Sequence, residues 1–181
     1  MSNSIERLYP LFDRECNATP TSPLLMRVEK VAYRTARALN RKWHSRLPRI
    51  GDPPGTTEAM PCYAAVFEGN VFAVAIWSHP VSRELPQDTW LELRRMAVSD
   101  AAPKFTASWM LGIMARLLRK RMPELVKLVS YQDKAVHDGT IYKAAGWKAT
   151  AVKKYSAWSN STRVRPECQA KSDKQRWELD I

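Results

Sequence analysis

One apolar stripe constrains what this chain can fold into more than any other feature. Between Phe105 and Met122, the residues Met110, Met114, Leu117 and Leu118 recur at helical spacing, with Trp109 and Ile113 beside them. Arg116, Arg119 and Lys120 fall elsewhere on the cylinder, so the segment predicts a long amphipathic helix that Pro123 stops. Strands bracket it. Upstream, the nine positions Trp90–Val98 alternate, with Leu91, Leu93, Arg95 and Ala97 on one face and Trp90, Glu92, Arg94, Met96 and Val98 on the other. Downstream, Leu125–Tyr131 is a short apolar run of strand type. A guanidinium at position 95 among leucines would be costly to bury alone, so Arg95 needs an acid such as Glu92 or Asp133, or a ligand.

The remaining segments extend this strand and helix alternation. Leu24–Val28 suits a short first strand, and Val31, Ala32, Ala36, Leu39 and Trp43 give Glu29–Trp43 a helical apolar face opposite an arginine-rich one. Pro48, Gly51, Pro53, Pro54 and Gly55 enforce a loop. Cys62–Phe67 and Val71–Trp77 are strands joined by the turn Glu68, Gly69, Asn70, and His79–Asp88 is a polar loop. Gly139–Ala145 is a short helix, and Trp147–Trp158 and Arg176–Ile181 are further strand candidates. Residues 1–22 lack periodicity and read as an arm. Residues 23–181 then form a single domain of the α/β (α+β) class, since 181 residues that are 45% hydrophobic suit one core better than two.

Charge narrows the partners. A formal net charge of +11 and a pI of about 9.8 favour a polyanion. The excess is clustered: Arg27 to Arg49 carries eight Lys or Arg against the single acid Glu29. Further clusters are Arg116–Arg121 and the carboxyl-terminal set Lys148, Lys153, Lys154, Arg163, Arg165, Lys171, Lys174 and Arg176. A solvated basic surface is the competing explanation. Cys16, Cys62 and Cys168 are odd in number and widely spaced, which argues against a disulfide framework or a zinc site. No apolar run reaches the roughly 18 residues of a membrane span, and the polar start MSNSIERLYP is not a secretory signal, so a cytoplasmic protein without a membrane partner is expected.

Chemistry concentrates in LVSYQDKAVHDGTIYKAAGW, residues 128–147, where a buried strand ends in Ser130, Tyr131 and Asp133 and Gly139 opens a helix carrying Tyr142. Spacing alone allows an ordinary strand-to-helix connection. The stretch resembles the Mom family of phage DNA-modification proteins, in which a strand ending in Ser-Tyr/Phe-x-Asp precedes Gly-Thr-Ile-Tyr and a small-residue helix. The resemblance covers Val28 to Thr150. It implies a divergent branch of the Gcn5-related N-acetyltransferase fold, a mixed and mostly antiparallel central sheet with helices on both faces.

That resemblance also implies a function and a site. The family adds a carbamoylmethyl (acetamido) group to the exocyclic amine of adenine in double-stranded DNA and so protects phage DNA from restriction. This chain is then expected to be a phage or prophage transferase working in the bacterial host cytoplasm. Asp133, Tyr142, Arg95 and His44, the last within RKWHSRLP, match the family's catalytic positions, and Tyr63, Tyr131, Ser130 and His137 match its substrate pocket. His44, Asp133 and Tyr142 are ligand types suited to the iron proposed for the family. Without the resemblance, His44 reads as a helix cap or surface residue. The segment SDAAPKFTAS offers Lys104, Thr106, Ala107 and Ser108 to the phosphates of acetyl-CoA or another acyl donor, but it lacks the usual glycines, and Pro103 removes an amide. A simple capped helix start fits it equally well. Trp43, Trp77, Trp90 and Tyr131 are candidates for stacking on a flipped base, or for core packing. A conventional N-acetyltransferase acting on a protein or small amine, and a non-catalytic DNA-binding protein, are the rival functions. The transferred group's donor, the DNA sequence preference and the oligomeric state stay open, a homodimer being one option.

Overall fold

The computed structural model describes residues 18–44, 61–155 and 172–181. The arm up to residue 17, the 48–55 loop and the basic segment 156–171, with Cys16 and Cys168, lie outside the described residues. A 3-10 turn at Pro23–Leu25, capped by the Ser22 side chain, leads into β1 (Arg27–Lys30) and α1 (Tyr33–Trp43). The hairpin β2 (Cys62–Phe67) and β3 (Asn70–Ser78) follows, then β4 (Trp90–Val98), α2 (Thr106–Arg121) and β5 (Lys127–Asp133). The chain closes with α3 (Thr140–Ala144), β6 (Lys148–Lys153) and β7 (Lys174–Asp180).

All seven strands form one sheet in the order β1-β2-β3-β4-β5-β7-β6, in which β4 and β5 run parallel and the other neighbours antiparallel. The long α2 makes the parallel pairing possible, because a parallel return needs a crossover of a dozen or more residues. The β2–β3 connection is tight: Glu68 and Gly69 both take positive φ, 47° and 81°, as a two-residue turn matching strand twist demands. The first helix begins later than its apolar spacing suggests. Glu29 and Lys30 are drawn into β1 against Ala64 and Tyr63, and the Leu24–Val28 strand expectation is correspondingly shifted by the 3-10 turn.

Two apolar layers flank the sheet. On one face α2 and α3 bury Tyr63, Trp77, Leu91, Leu93, Met110, Met114, Leu128, Tyr142, Trp147 and Trp177. On the other, α1 packs over β2, β3 and β4, covering Ala36, Cys62, Ala64, Val74, Ile76 and Ala97. Trp77 is fully buried with its indole N–H 3.4 Å from Met114 Sδ, so it is a core residue and not a stacking platform. Burial also pushes the Cys62 thiol up to about 11, which leaves it an unreactive packing group.

The strict alternation expected for β4 does not hold. The register against β3 slips between Ile76 and Trp77, so that Ile76 opposes Arg95 while Trp77 opposes Leu93. Arg94 is the extra residue of a bulge, and both guanidiniums consequently point to the α1 face, while Met96 and Val98 return to the core face of Leu91 and Leu93. Arg95 therefore does not share the leucine face, and its guanidinium donates to Arg94 O at 2.7 Å.

Candidate functional site

The chemistry-bearing residues gather where β4 and β5 part. The two strands pair over Trp90–Leu93 and Lys127–Ser130, after which β4 continues to Val98 and β5 to Asp133 with no further pairs between them. Beyond the last pair the facing edges of the two strands no longer satisfy each other's backbone groups.

On the α1 face this opening is surrounded by charge. His44 ends α1, its backbone N–H donating to Asn40 O at 2.8 Å. Burial, then the neighbouring Arg95 and His137, hold its imidazole below the ordinary histidine range. Glu92 is 6% exposed; its carboxylate accepts from Val81 N–H at 2.8 Å and lies 3.6 Å from Arg94 Nε. Burial raises its pKa, against the opposing pull of Val81, Arg94, Arg95 and Lys174. Lys174 on β7 opposes Asp133 on β5, and burial followed by Arg95 lowers its pKa. Tyr131, which Arg176 hydrogen bonds, has its phenol raised by burial and then by Glu92. Asp133 Oδ1 accepts from Ala135 N–H at 2.9 Å and Ser172 Oγ–H at 2.5 Å, which ties the start of the β5–α3 loop to the start of β7.

Tyr142 reaches the same opening from the opposite face. Its hydroxyl is 2.9 Å from Ser130 Oγ, and Ser130 Oγ lies 3.4 Å from Leu93 O, at the last rung of the β4–β5 ladder. The ring stacks on Trp177 at 5.3 Å and meets Trp147 edge-on at 5.7 Å. Burial raises the phenol's pKa, with the Ser130 hydrogen bond opposing, so the hydroxyl keeps its proton at neutral pH. His44, Arg95, Asp133 and His137 thus share one side, with Tyr131 among them, and Tyr142 and Ser130 lie beneath the sheet.

Other expected residues are placed elsewhere. Tyr63 is 1% exposed in the α2-side core and hydrogen bonded by Arg121, well along the sheet on β2. Lys104, Thr106, Ala107 and Ser108 do stand at the start of α2, where Thr106 Oγ–H donates to Pro103 O at 2.7 Å and Ser108 Oγ–H to Phe105 O at 3.1 Å. Phe105, 76% exposed, takes a left-handed conformation with φ 68°, which a glycine adopts more readily. Trp90 lies under Lys127 Nζ, 4.7 Å from the ring centre.

Glu92, an acid weighed as a partner for Arg95, shares its face only because of the bulge, and Lys174 was not anticipated. The bulge that aims Arg95 towards them leaves no mark in the alternation, and Lys174 arrives through a long-range pairing of β7 with β5. Iron finds no support: among the described residues no three His, Cys, Asp or Glu side chains are grouped to hold a metal ion. The proposed ligand Tyr142 is turned to Ser130 on the far face from His44 and Asp133. No helix among the described residues is long and apolar enough to cross a membrane.

The fold is that of the Gcn5-related N-acetyltransferases. The chain is similar to the Bacillus subtilis acetyltransferase in complex with CoA (14% identity, TM-score 0.55, covering 86% of this chain and 99% of that one). It is also similar to a putative phosphinothricin N-acetyltransferase (15%, TM-score 0.59, covering 86% and 98%). A third likeness is to the acetyltransferase of the GNAT family from Streptococcus pneumoniae (8%, TM-score 0.57, covering 86% and 99%). No curated protein matches by sequence. Within this fold the chain belongs to the Mom protein family, which it matches over residues 66–178.

The His44 shift carries a pH signature. Its folded pKa lies below the unfolded value of about 6.5, so the unfolded chain binds the extra proton first as pH falls. The stabilisation is complete above about pH 6.5 and is lost on descending towards the lowered folded value. Urea midpoints of the wild type should fall more steeply between pH 7.5 and 5.5 than those of His44→Gln, and parallel curves would refute the assignment.

Proposed function

We propose that the protein is a transferase that modifies DNA, adding a carbamoylmethyl group to the exocyclic amine of adenine and so shielding phage DNA from restriction. Membership of the Mom family carries this reading, since the matched segment, residues 66–178, contains β4, β5 and α3 and hence the whole opening between the strands. The cationic α1 face supports it further. Adenine's amine is buried in a duplex and its lone pair is delocalised, so the base must leave the stack and be held against a proton acceptor.

Placement supports the following roles. A flipped adenine entering from the α1 face meets Asp133, Arg95 and His44, while the donor's leaving group meets the Tyr142 hydroxyl from below. The new bond joins the amine nitrogen to the methylene carbon of the transferred group, and the bond from that carbon to the leaving group breaks. The amine proton passes to Asp133, and the phenol, still protonated, supplies a proton or hydrogen bond to the leaving group. Arg95 offsets the negative charge that develops, and neutral His44 accepts or donates without adding a second cation. Glu92, held on the same face with a raised pKa, keeps Arg94, Arg95 and Lys174 in place.

A conventional acyl-CoA donor is the second reading, favoured by the left-handed turn at Phe105 before α2, a helix whose first-turn amides lack intrahelical partners. Transfer from acetyl-CoA would give an acetyl amide rather than a carbamoylmethyl amine. Mass spectrometry of nucleosides from DNA of cells expressing the chain separates these outcomes. A deoxyadenosine heavier by a carbamoylmethyl group is expected, an acetylated one would favour the second reading, and a profile identical to an empty-vector control would overturn both.

A further inference from the structure

The outer face of α1 presents Arg34, Arg41 and Lys42, all exposed, with Arg37 half-buried on its flank and no acid anywhere in the helix. The opposite face, through Thr35, Ala36, Leu39, Asn40 and Trp43, is turned to the sheet. Arg34 and Arg41 lie two turns apart on one line, about 10 Å along the axis, a length over which one DNA strand presents roughly three phosphates. The helix ends directly at His44, and from there positive groups continue across the sheet as neighbours: Arg95, then Lys174, then Lys153 on β6. A comparable cluster, Arg116, Arg119, Lys120 and Arg121, is exposed on α2, but α2 lies on the other side of the sheet.

Resting on the reading of the protein as a DNA-modifying transferase, we infer that the Arg34–Arg41–Lys42 ridge of α1 is the surface on which the phosphate backbone of double-stranded DNA docks, so that the duplex lies over the His44, Arg95 and Asp133 side of the sheet. The α2 cluster is then a solvated surface. This placement follows from position as much as from charge. A duplex gripped on α2 would have the full thickness of the sheet and its buried aromatic layer between its bases and His44.

Binding of a fluorescein-labelled duplex to the full chain, followed by anisotropy from 50 to 200 mM salt, tests this. If the three side chains each meet a phosphate, the variant R34Q/R41Q/K42Q loses about 2.7 from the slope of log affinity against log salt, and roughly two orders of magnitude in affinity near 0.1 M salt. R116Q/R119Q/K120Q should bind within about threefold of wild type. A two-site variant, R34Q/R41Q, with an unchanged circular-dichroism melt guards against a folding artefact and should lose about 1.8 from the slope. Loss of binding in the α2 variant with α1 variants unaffected would overturn the surface and leave the DNA reading standing. Absence of salt-dependent binding by the wild type would overturn both.

Discussion

Gly139→Ala is expected to destabilise the protein by roughly 3 kcal/mol or more, a fall of about 6–12 °C in melting temperature for a chain of this size. Two costs add. Gly139 sits at φ 73°, where a side chain costs about 1–2 kcal/mol. A Cβ there would also meet Trp177 Cζ2 at clashing distance and lie 2.6 Å from Gln132 Oε1. Neither neighbour can retreat cheaply, because Trp177 Nε1–H donates to Gln132 Oε1 at 2.6 Å and its ring stacks on Tyr142. Gln132 Nε2–H in turn donates to His137 O, so the loop that carries His137 is fastened to the same knot. Thermal melts of wild type and variant check this. A melting temperature within about 2 °C of wild type would show that the contact between α3 and β7 is looser than the structure has it. Gly146→Ala isolates the first cost, since Gly146 has φ 80° but open space around its Cβ position.

Tyr142→Phe is expected to separate activity from stability. The phenol makes one hydrogen bond, to Ser130, whose net loss is worth about 1 kcal/mol, while loss of a general acid lowers a rate roughly 10²- to 10⁴-fold. Modified deoxyadenosine, quantified by nucleoside mass spectrometry, should fall at least about 100-fold with the melt moved by only a few degrees. Asp133→Asn makes the companion test: it retains an oxygen for Ala135 N–H and Ser172 Oγ–H but removes the basic carboxylate, and should also abolish modification in a protein that still folds. Wild-type levels of modification in either variant would exclude that side chain from the proton transfers assigned to it.

Much of this architecture was legible in local pattern. The period of α2, the hairpin turn at Glu68–Gly69, and the strand–loop–helix of residues 127–144 are properties of neighbouring residues, set by side-chain spacing and turn chemistry. The motif SYQD followed by GTIY was enough to point to the family, while Tyr142 turns to Ser130 on the face of the sheet opposite Asp133. What the pattern could not contain is how the residues are divided between the two faces. A one-residue bulge reverses every side chain beyond it, and it alone moved Arg95 from the leucine layer to the charged face of Glu92. The insertion of β7 between β5 and β6 brought Lys174 to Asp133 and Trp177 to Gly139, pairings more than 35 residues apart whose register depends on contacts no local window holds. Amino-acid order thus determined which strands and helices exist and which polar and charged groups they carry. Tertiary pairing decided which of those groups meet, because the face a side chain occupies is set by its partner strand as much as by its own.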